Sequence, residues 1–247
     1  METEQSERLT QTLAEIRKRW GVDAIRVLSS LNDSSSFIST GFTDLNELIG
    51  GGIPCAQITE LVGAPTCGLI ALLFQIIVSA QSQRRITVYI DLSRGFDPSC
   101  ATQYGIQLEH LLVARPDDVE SALDILQIVA GAPGAGLIVL DNSTEIQKHP
   151  LGQGKLNLAL AKAALLLKSS GSSVVMITPH AAKGQQIPST GLRLHLQRMQ
   201  WQIENGDVVG CRTKISVLKR RRGGIDRSVE VTLRLDDAEE AAAKRAA

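Results

Sequence analysis

None of the four cysteines, Cys55, Cys67, Cys100 and Cys211, stands in a C-x-x-C pair with another, and no secretory signal precedes them. That spacing argues against a zinc site and against a disulfide framework, and it fits free thiols in a reducing cytoplasm. No uninterrupted apolar run reaches the ~20 residues that a membrane-spanning helix needs, so a soluble chain is expected. Net charge is missing too. Lys plus Arg equals Asp plus Glu at 26 each, so the whole-molecule field gives no attraction to nucleic acid, and any basic function has to be a local patch. What is present is length: 247 residues suffice for one large α/β domain with a sizeable core and at most a small appendage.

The central stretch runs from Ile58 to Leu73 and reads as the strand, glycine loop and helix of a phosphate-binding loop. Gly63 and Gly68 hold a G-x-x-x-x-G frame around Ala64, Pro65, Thr66 and Cys67. A working loop continues with Lys, which reaches the β- and γ-phosphates, and Ser or Thr, whose hydroxyl ligates Mg²⁺. Here the two positions are Leu69 and Ile70. Backbone N–H groups and the helix N-terminus still face an anion favourably, but hydrocarbon has replaced a point charge and a metal ligand. Taken alone, two glycines five apart also fit an ordinary strand-to-helix turn, so the order of the surrounding elements has to decide.

Leu9, Leu13, Ile16 and Trp20 recur at helical spacing, followed by a strand from Ala24 to Leu28 and a Ser/Asn/Asp linker from Ser29 to Ser36. A short helix over Thr40 to Glu47 leads through Gly50-Gly51-Gly52 to a strand from Gln57 to Val62. The helix Leu69 to Gln81 follows, with Leu69, Leu72, Leu73, Ile76 and Ile77 facing inward, and both Leu69 and Ile70 are expected to be partly buried. The β-branched run Ile86 to Ile90 reads as a strand buried on both faces, and Leu111 to Ala114, Leu137 to Leu140 and Val174 to Thr178 read as further strands. Asp117 with Glu120 predicts a capping box for a helix that Gly131 to Gly136 stops. Leu156 to Lys168 is apolar almost all round, which predicts a buried helix. Met199, Trp201 and Ile203 alternate as a half-buried strand, and Thr213 to Val217 and Val229 to Leu235 alternate after it, as antiparallel hairpins around Gly206 and Gly223-Gly224.

This order, with Asp91, Asp97-Pro98 and the apolar strand ending in Asp141, resembles the bacterial RecA recombinase family from about Thr12 to Leu235. The resemblance implies a RecA-like α/β core with a mostly parallel sheet, over residues 37–235, preceded by an arm and linker over 1–36 and followed by a tail over 236–247. RecA proteins continue into a separate carboxyl-terminal domain that these residues do not supply. The resemblance also assigns roles by position. Asp141 matches the aspartate that orients Mg²⁺. Lys148, His149 and Lys155 match the first DNA loop, and Lys183 lies in the second, which carries no aromatic for base stacking. Lys219 and Arg221 match two lysines that reach a neighbouring subunit's nucleotide. Ser93 stands where the family has its catalytic glutamate, Cys100 where a tyrosine stacks on adenine, and His180 where a glutamine senses the γ-phosphate.

Losses at Leu69, Ile70, Ser93 and Cys100 together imply a degenerate RecA-like paralogue, similar to the translesion accessory proteins called ImuA. It would act without hydrolysis in recombination, repair or the damage response, with no catalytic residues, no metal and no required cofactor. The glycine loop leaves room for ATP binding without turnover. Expected partners are a recombinase or another repair protein, in an oligomer or hetero-assembly, and single-stranded DNA. Two alternatives stay open: an active ATP-dependent recombinase with a variant loop, and a pure interaction module.

Overall fold

The computed structural model describes residues 37–141, 146, 152–179, 187–221 and 227–234. The helix-and-strand arm, the tail, and Lys148, His149, His180 and Lys183 lie outside the described residues. The fold is α/β, with a mixed and mostly parallel central sheet.

Two short strands, β1 (Phe37–Ile38) and β2 (Ile53–Pro54), pair antiparallel and bracket helix α1 (Thr43–Ile49). The main sheet has eight strands in the order β10-β9-β8-β3-β7-β6-β4-β5. They are β3 (Ile58–Gly63), β4 (Ile86–Asp91), β5 (Leu111–Ala114), β6 (Ala135–Asp141), β7 (Ser173–Pro179), β8 (Thr190–Glu204), β9 (Asp207–Arg220) and β10 (Ser228–Arg234). From β8 to β5 every pairing is parallel, while β9 and β10 add antiparallel strands on the far edge. The parallel strands need crossover helices, and the apolar runs of β3, β4, β6 and β7 are the consequence of cover on both faces, whereas the edge strand β5 leaves Leu112 and Val113 exposed. Helices α1, α2 (Leu69–Ser82) and α3 (Pro98–Gln103) pack one face, centred on Leu72, Leu73, Ile76 and Tyr89. Helices α4 (Val119–Gly131) and α5 (Gly152–Ser170) pack the other, centred on Leu126, Ile138, Leu160 and Val174. Among the described residues no helix is long and apolar enough to cross a membrane.

Three local expectations are corrected. Helix α4 is capped by Asp118, whose carboxylate accepts from the Ser121 N–H at 2.7 Å, while Asp117 pairs with Arg94 at 2.6 Å. The cap falls one residue later because Val119 must start the buried stripe. Helix α5 buries only the face of Leu156, Ala159, Leu160, Ala163 and Leu167, and Leu158 and Leu165 point outward. A single sheet can cover only one side of a helix, whatever the composition of the other. The third correction concerns β8. Its first half is buried, but Met199, Trp201 and Ile203 are exposed, because beyond Leu196 the β8–β9 hairpin runs past the helices that cover the sheet.

Candidate functional site

The glycine loop leaves β3 at the carboxyl ends of the parallel strands, where open α/β sheets place ligands. Two residues need left-handed backbone, Thr66 at φ 65° and Gly68 at φ 85°. Gly68 has a second constraint: a Cβ there would stand 2.3 Å from Leu233 Cδ1 of β10, so the last strand packs directly onto the loop. Other bonds tie the loop to the same edge. Thr213 of β9 donates its hydroxyl to the Cys67 carbonyl at 2.8 Å. Arg198 of β8 donates to the Thr66 carbonyl at 3.2 Å and to its hydroxyl, and lies 4.1 Å above the Trp201 ring. Cys67 itself turns inward, and burial pushes its thiol up to about 11.

Leu69 and Ile70 part company. Leu69 is 8% exposed and belongs to the core, whereas Ile70 is 44% exposed, against the expectation that both are partly buried. One step along a helix turns a side chain by about 100°, which carries it from the core to the lip of a cavity. Replacing Leu69 by Lys therefore puts an ammonium into apolar packing, with an expected loss of about 2–5 kcal/mol. Ile70→Lys should stay close to wild type. Thermal melts of the two variants check this; equal, unchanged melts would show the Leu69 site to be open and solvated.

The cavity next to the loop has a volume of about 700 Å³. It brings together Gly63 to Thr66, Gly68, Leu69, Ile70, Ser93, Cys100 and Asp141, all of them positions picked out by sequence. It also has walls that local sequence did not reveal: Tyr104, Ile177, Trp201, Val208, Cys211 and Leu233. No lysine or arginine is among the described residues that line it. Asp141 accepts a 2.7 Å hydrogen bond from the hydroxyl of buried Tyr89, on the neighbouring strand. Burial, together with Asp141 and Asp91, pushes the Tyr89 hydroxyl far up, so it remains a donor. A neutral donor thus sits on the carboxylate that a magnesium site would direct at metal-bound water.

Ser93 is exposed, and its hydroxyl donates to the Asp91 carboxylate at 3.3 Å. Asp91 is fully buried and holds the loop after β4 through the N–H groups of Gly95 at 2.9 Å and Phe96 at 3.2 Å, with the Arg115 guanidinium at 3.1 Å. Asp97 caps α3 by accepting from Ser99 at 2.8 Å, and Pro98 occupies its first turn, which is the turn chemistry such residues supply. Tyr104 fixes another wall, its hydroxyl donating to the Arg234 carbonyl at 2.7 Å. Burial, with a smaller push from Asp97, raises the Cys100 thiol.

The described basic positions do not gather at this cavity. Lys155 pairs with Glu120 of α4. Lys219 donates its ammonium to the carbonyls of Ile187 at 3.1 Å and Pro188 at 3.0 Å, and burial lowers its pKa. Arg221 is exposed, its backbone N–H bonded to Gly191. One charged pair had no sequence signal: Glu60 of β3 and Arg193 of β8, both buried, meet at 2.8 Å beneath the loop.

A glycine loop between a central parallel strand and its crossover helix, with an aspartate at the end of a nearby strand, defines a P-loop-type α/β core. The family follows from comparison. Residues 7–155 match the model of the RecA N-terminal domain, and the chain belongs to the RecA family. It is similar to the protein RecA of Laribacter hongkongensis, at 27% identity over 250 residues, 89% of this chain and 70% of that protein. The protein RecA of Mesomycoplasma hyopneumoniae is 27% identical over 241 residues, 86% of this chain and 72% of its own length. That of Streptomyces coelicolor is 25% identical over 247 residues, 89% and 66%.

Proposed function

We propose that this chain is a RecA-family accessory of DNA recombination and repair that docks on a recombinase protomer without hydrolysing ATP itself. The observation that carries the proposal is the lining of the cavity beside Gly63 and Gly68, where Leu69 has joined the core, Ile70 faces the opening, and neither Lys nor Arg is present among the described residues. A phosphoryl-transfer site works by positioning and by charge stabilisation, and this lining provides no positive side chain for either. Hydrolysis in the complex then falls to the partner.

Two features of this chain fit such docking. Arg221 is exposed at the end of β9, available to a partner's phosphates, while Lys219 holds the segment from Ile187 to Thr190 beside it. In the sequence Leu9, Leu13, Ile16 and Trp20 recur at helical spacing, and the resemblance matches them to the arm that grips an adjacent subunit. Single-stranded DNA is the second proposed contact, through Lys148, His149, Lys155 and Lys183. Cross-linking the purified protein with the host recombinase tests docking. The proposal expects a product that needs ATP and falls several-fold in Arg221→Ala; absence of association at micromolar concentration rejects it. A gel shift on single-stranded DNA separates an accessory that touches DNA from a pure protein-interaction module. A neighbouring gene for an error-prone polymerase would assign the accessory to translesion synthesis, and an isolated locus to recombinase modulation.

A further inference from the structure

We infer that the cavity beside the glycine loop binds a mainly apolar small molecule that carries no anionic group, in the place where a phosphate-binding loop holds nucleotide. This inference deepens the non-hydrolysing reading of the same site and rests on it. The cavity's volume, about 700 Å³, lies within the ~300–1,000 Å³ range of small-molecule pockets, which are lined mostly by hydrocarbon. Three large apolar side chains of the lining stand exposed although they come from separate elements: Ile70 of α2, Trp201 of β8 and Val208 of β9. One exposed apolar residue needs no explanation, but several gathered at one concave opening mark a binding groove. Leu69 and Leu233, both in the core, continue the wall inward.

Four polar side chains of the lining are already bonded within the protein. The Thr66 hydroxyl accepts from Arg198, the Ser93 hydroxyl donates to Asp91 at 3.3 Å, the Tyr104 hydroxyl donates to the Arg234 carbonyl at 2.7 Å and the Asp141 carboxylate accepts from Tyr89 at 2.7 Å. A hydroxyl has one proton to give, so neither Ser93 nor Tyr104 has a second for an anion. The described lining holds no lysine or arginine either. A polyphosphate entering this space gives up its hydration against Ile70, Val208 and Leu233 without a cation to replace it, which is a net cost. The N-terminus of α2 favours an anion, but that pull is small beside the desolvation of several charges. An apolar molecule has no such hydration to lose, and it takes the three exposed side chains out of water, which is the favourable exchange.

The walls are also fixed in advance, which lowers the ordering cost of binding. Thr213 of β9 is bonded to the Cys67 carbonyl at 2.8 Å, Arg198 of β8 to the Thr66 carbonyl at 3.2 Å, and Leu233 of β10 packs so closely on Gly68 that a Cβ there would stand 2.3 Å from it. The loop and all three antiparallel strands are thereby held in one arrangement, so the exposed apolar side chains at the opening have a rigid backing.

The test uses the full chain and two fluorescent probes of one skeleton, N-phenyl-1-naphthylamine, which is uncharged at pH 7, and 1-anilinonaphthalene-8-sulfonate, which adds a single anionic group. The uncharged probe should bind saturably at one site per chain, and the sulfonate about tenfold or more weaker. Ile70→Trp and Val208→Trp, at exposed positions that leave the core intact, should each weaken the uncharged probe by about tenfold or more while melting like wild type. Met199→Ser combined with Ile203→Ser, exposed on the same hairpin but outside the lining, should leave its binding unchanged. Absence of saturable binding, binding that both tryptophan variants leave unchanged, or binding lost in the serine variant overturns the site; a sulfonate that binds as tightly as the uncharged probe overturns the ligand class. Displacement of the uncharged probe by micromolar Mg·ATP without phosphate release also overturns the ligand class and leaves the non-hydrolysing reading standing. Phosphate release by wild type overturns both.

Discussion

Replacing Arg193 by Met should lower folding stability by about 3–5 kcal/mol, and adding Glu60→Leu to that variant should recover most of the loss. Glu60 and Arg193 face each other in register across the parallel pair β3–β8, 0% and 4% exposed, with a 2.8 Å contact between guanidinium and carboxylate. Lys219 is the next residue along, opposite Arg193 on β9, so three charges form a row through the sheet beneath the glycine loop. Removing one partner of a buried pair leaves an uncompensated charge, which is the expensive event; removing both exchanges an ion pair for hydrocarbon at little cost. Urea unfolding of wild type and the single and double variants measures it. A single variant within 1 kcal/mol of wild type, by the same principle, would show that the pair is solvated.

The pair also carries a pH signature. Burial raises the Glu60 carboxyl above its ordinary value, with the Thr178 hydroxyl, Arg193 and Lys219 pulling in the opposite direction. A carboxyl whose pKa is higher folded than unfolded contributes stability that is full below the unfolded value and is lost as pH rises through the folded one. Without Arg193 the opposing pull is weakened to that of Thr178 and Lys219, so Arg193→Met should gain stability relative to wild type as the pH is lowered from neutral towards 5. An Arg193→Met deficit that is the same at both pH values contradicts a buried, unpaired Glu60.

Period and punctuation made the scaffold legible. Strands β4, β5, β6 and β7 are β-branched runs of strand length, helix α2 has an inward stripe, and the frame of Gly63 and Gly68 marks the one loop where left-handed backbone and Leu233 demand glycine at position 68. One half of the cavity's lining was legible as well, since the residues of the glycine loop stand together in the sequence. The other half was not. Trp201, Val208, Cys211 and Leu233 reach the cavity only because the hairpins of β8, β9 and β10, which alternation did predict, pack against the glycine loop, and that long-range packing leaves no local pattern. For the same reason Glu60 and Arg193 carry no sign of pairing in the sequence, and only the register between β3 and β8 makes them a pair. Exposure of Met199, Trp201 and Ile203 depends on where the covering helices end, which alternation along one strand does not encode.

The central claim is that the glycine loop survives as architecture without phosphoryl transfer. Leu69 supplies no cation, Ile70 no metal-binding hydroxyl and Ser93 no carboxylate to activate water, and Asp141 is engaged by Tyr89. Loss of a single stabilising donor typically costs about 10²–10³ in rate, and here several are missing together. Phosphate release from Mg·ATP, with and without single-stranded DNA, tests the claim most directly when wild type is compared with Ile70→Trp, which fills the mouth of the cavity. The account predicts that both preparations give the same background rate. Turnover of recombinase magnitude in wild type that disappears in the Ile70→Trp protein would contradict it.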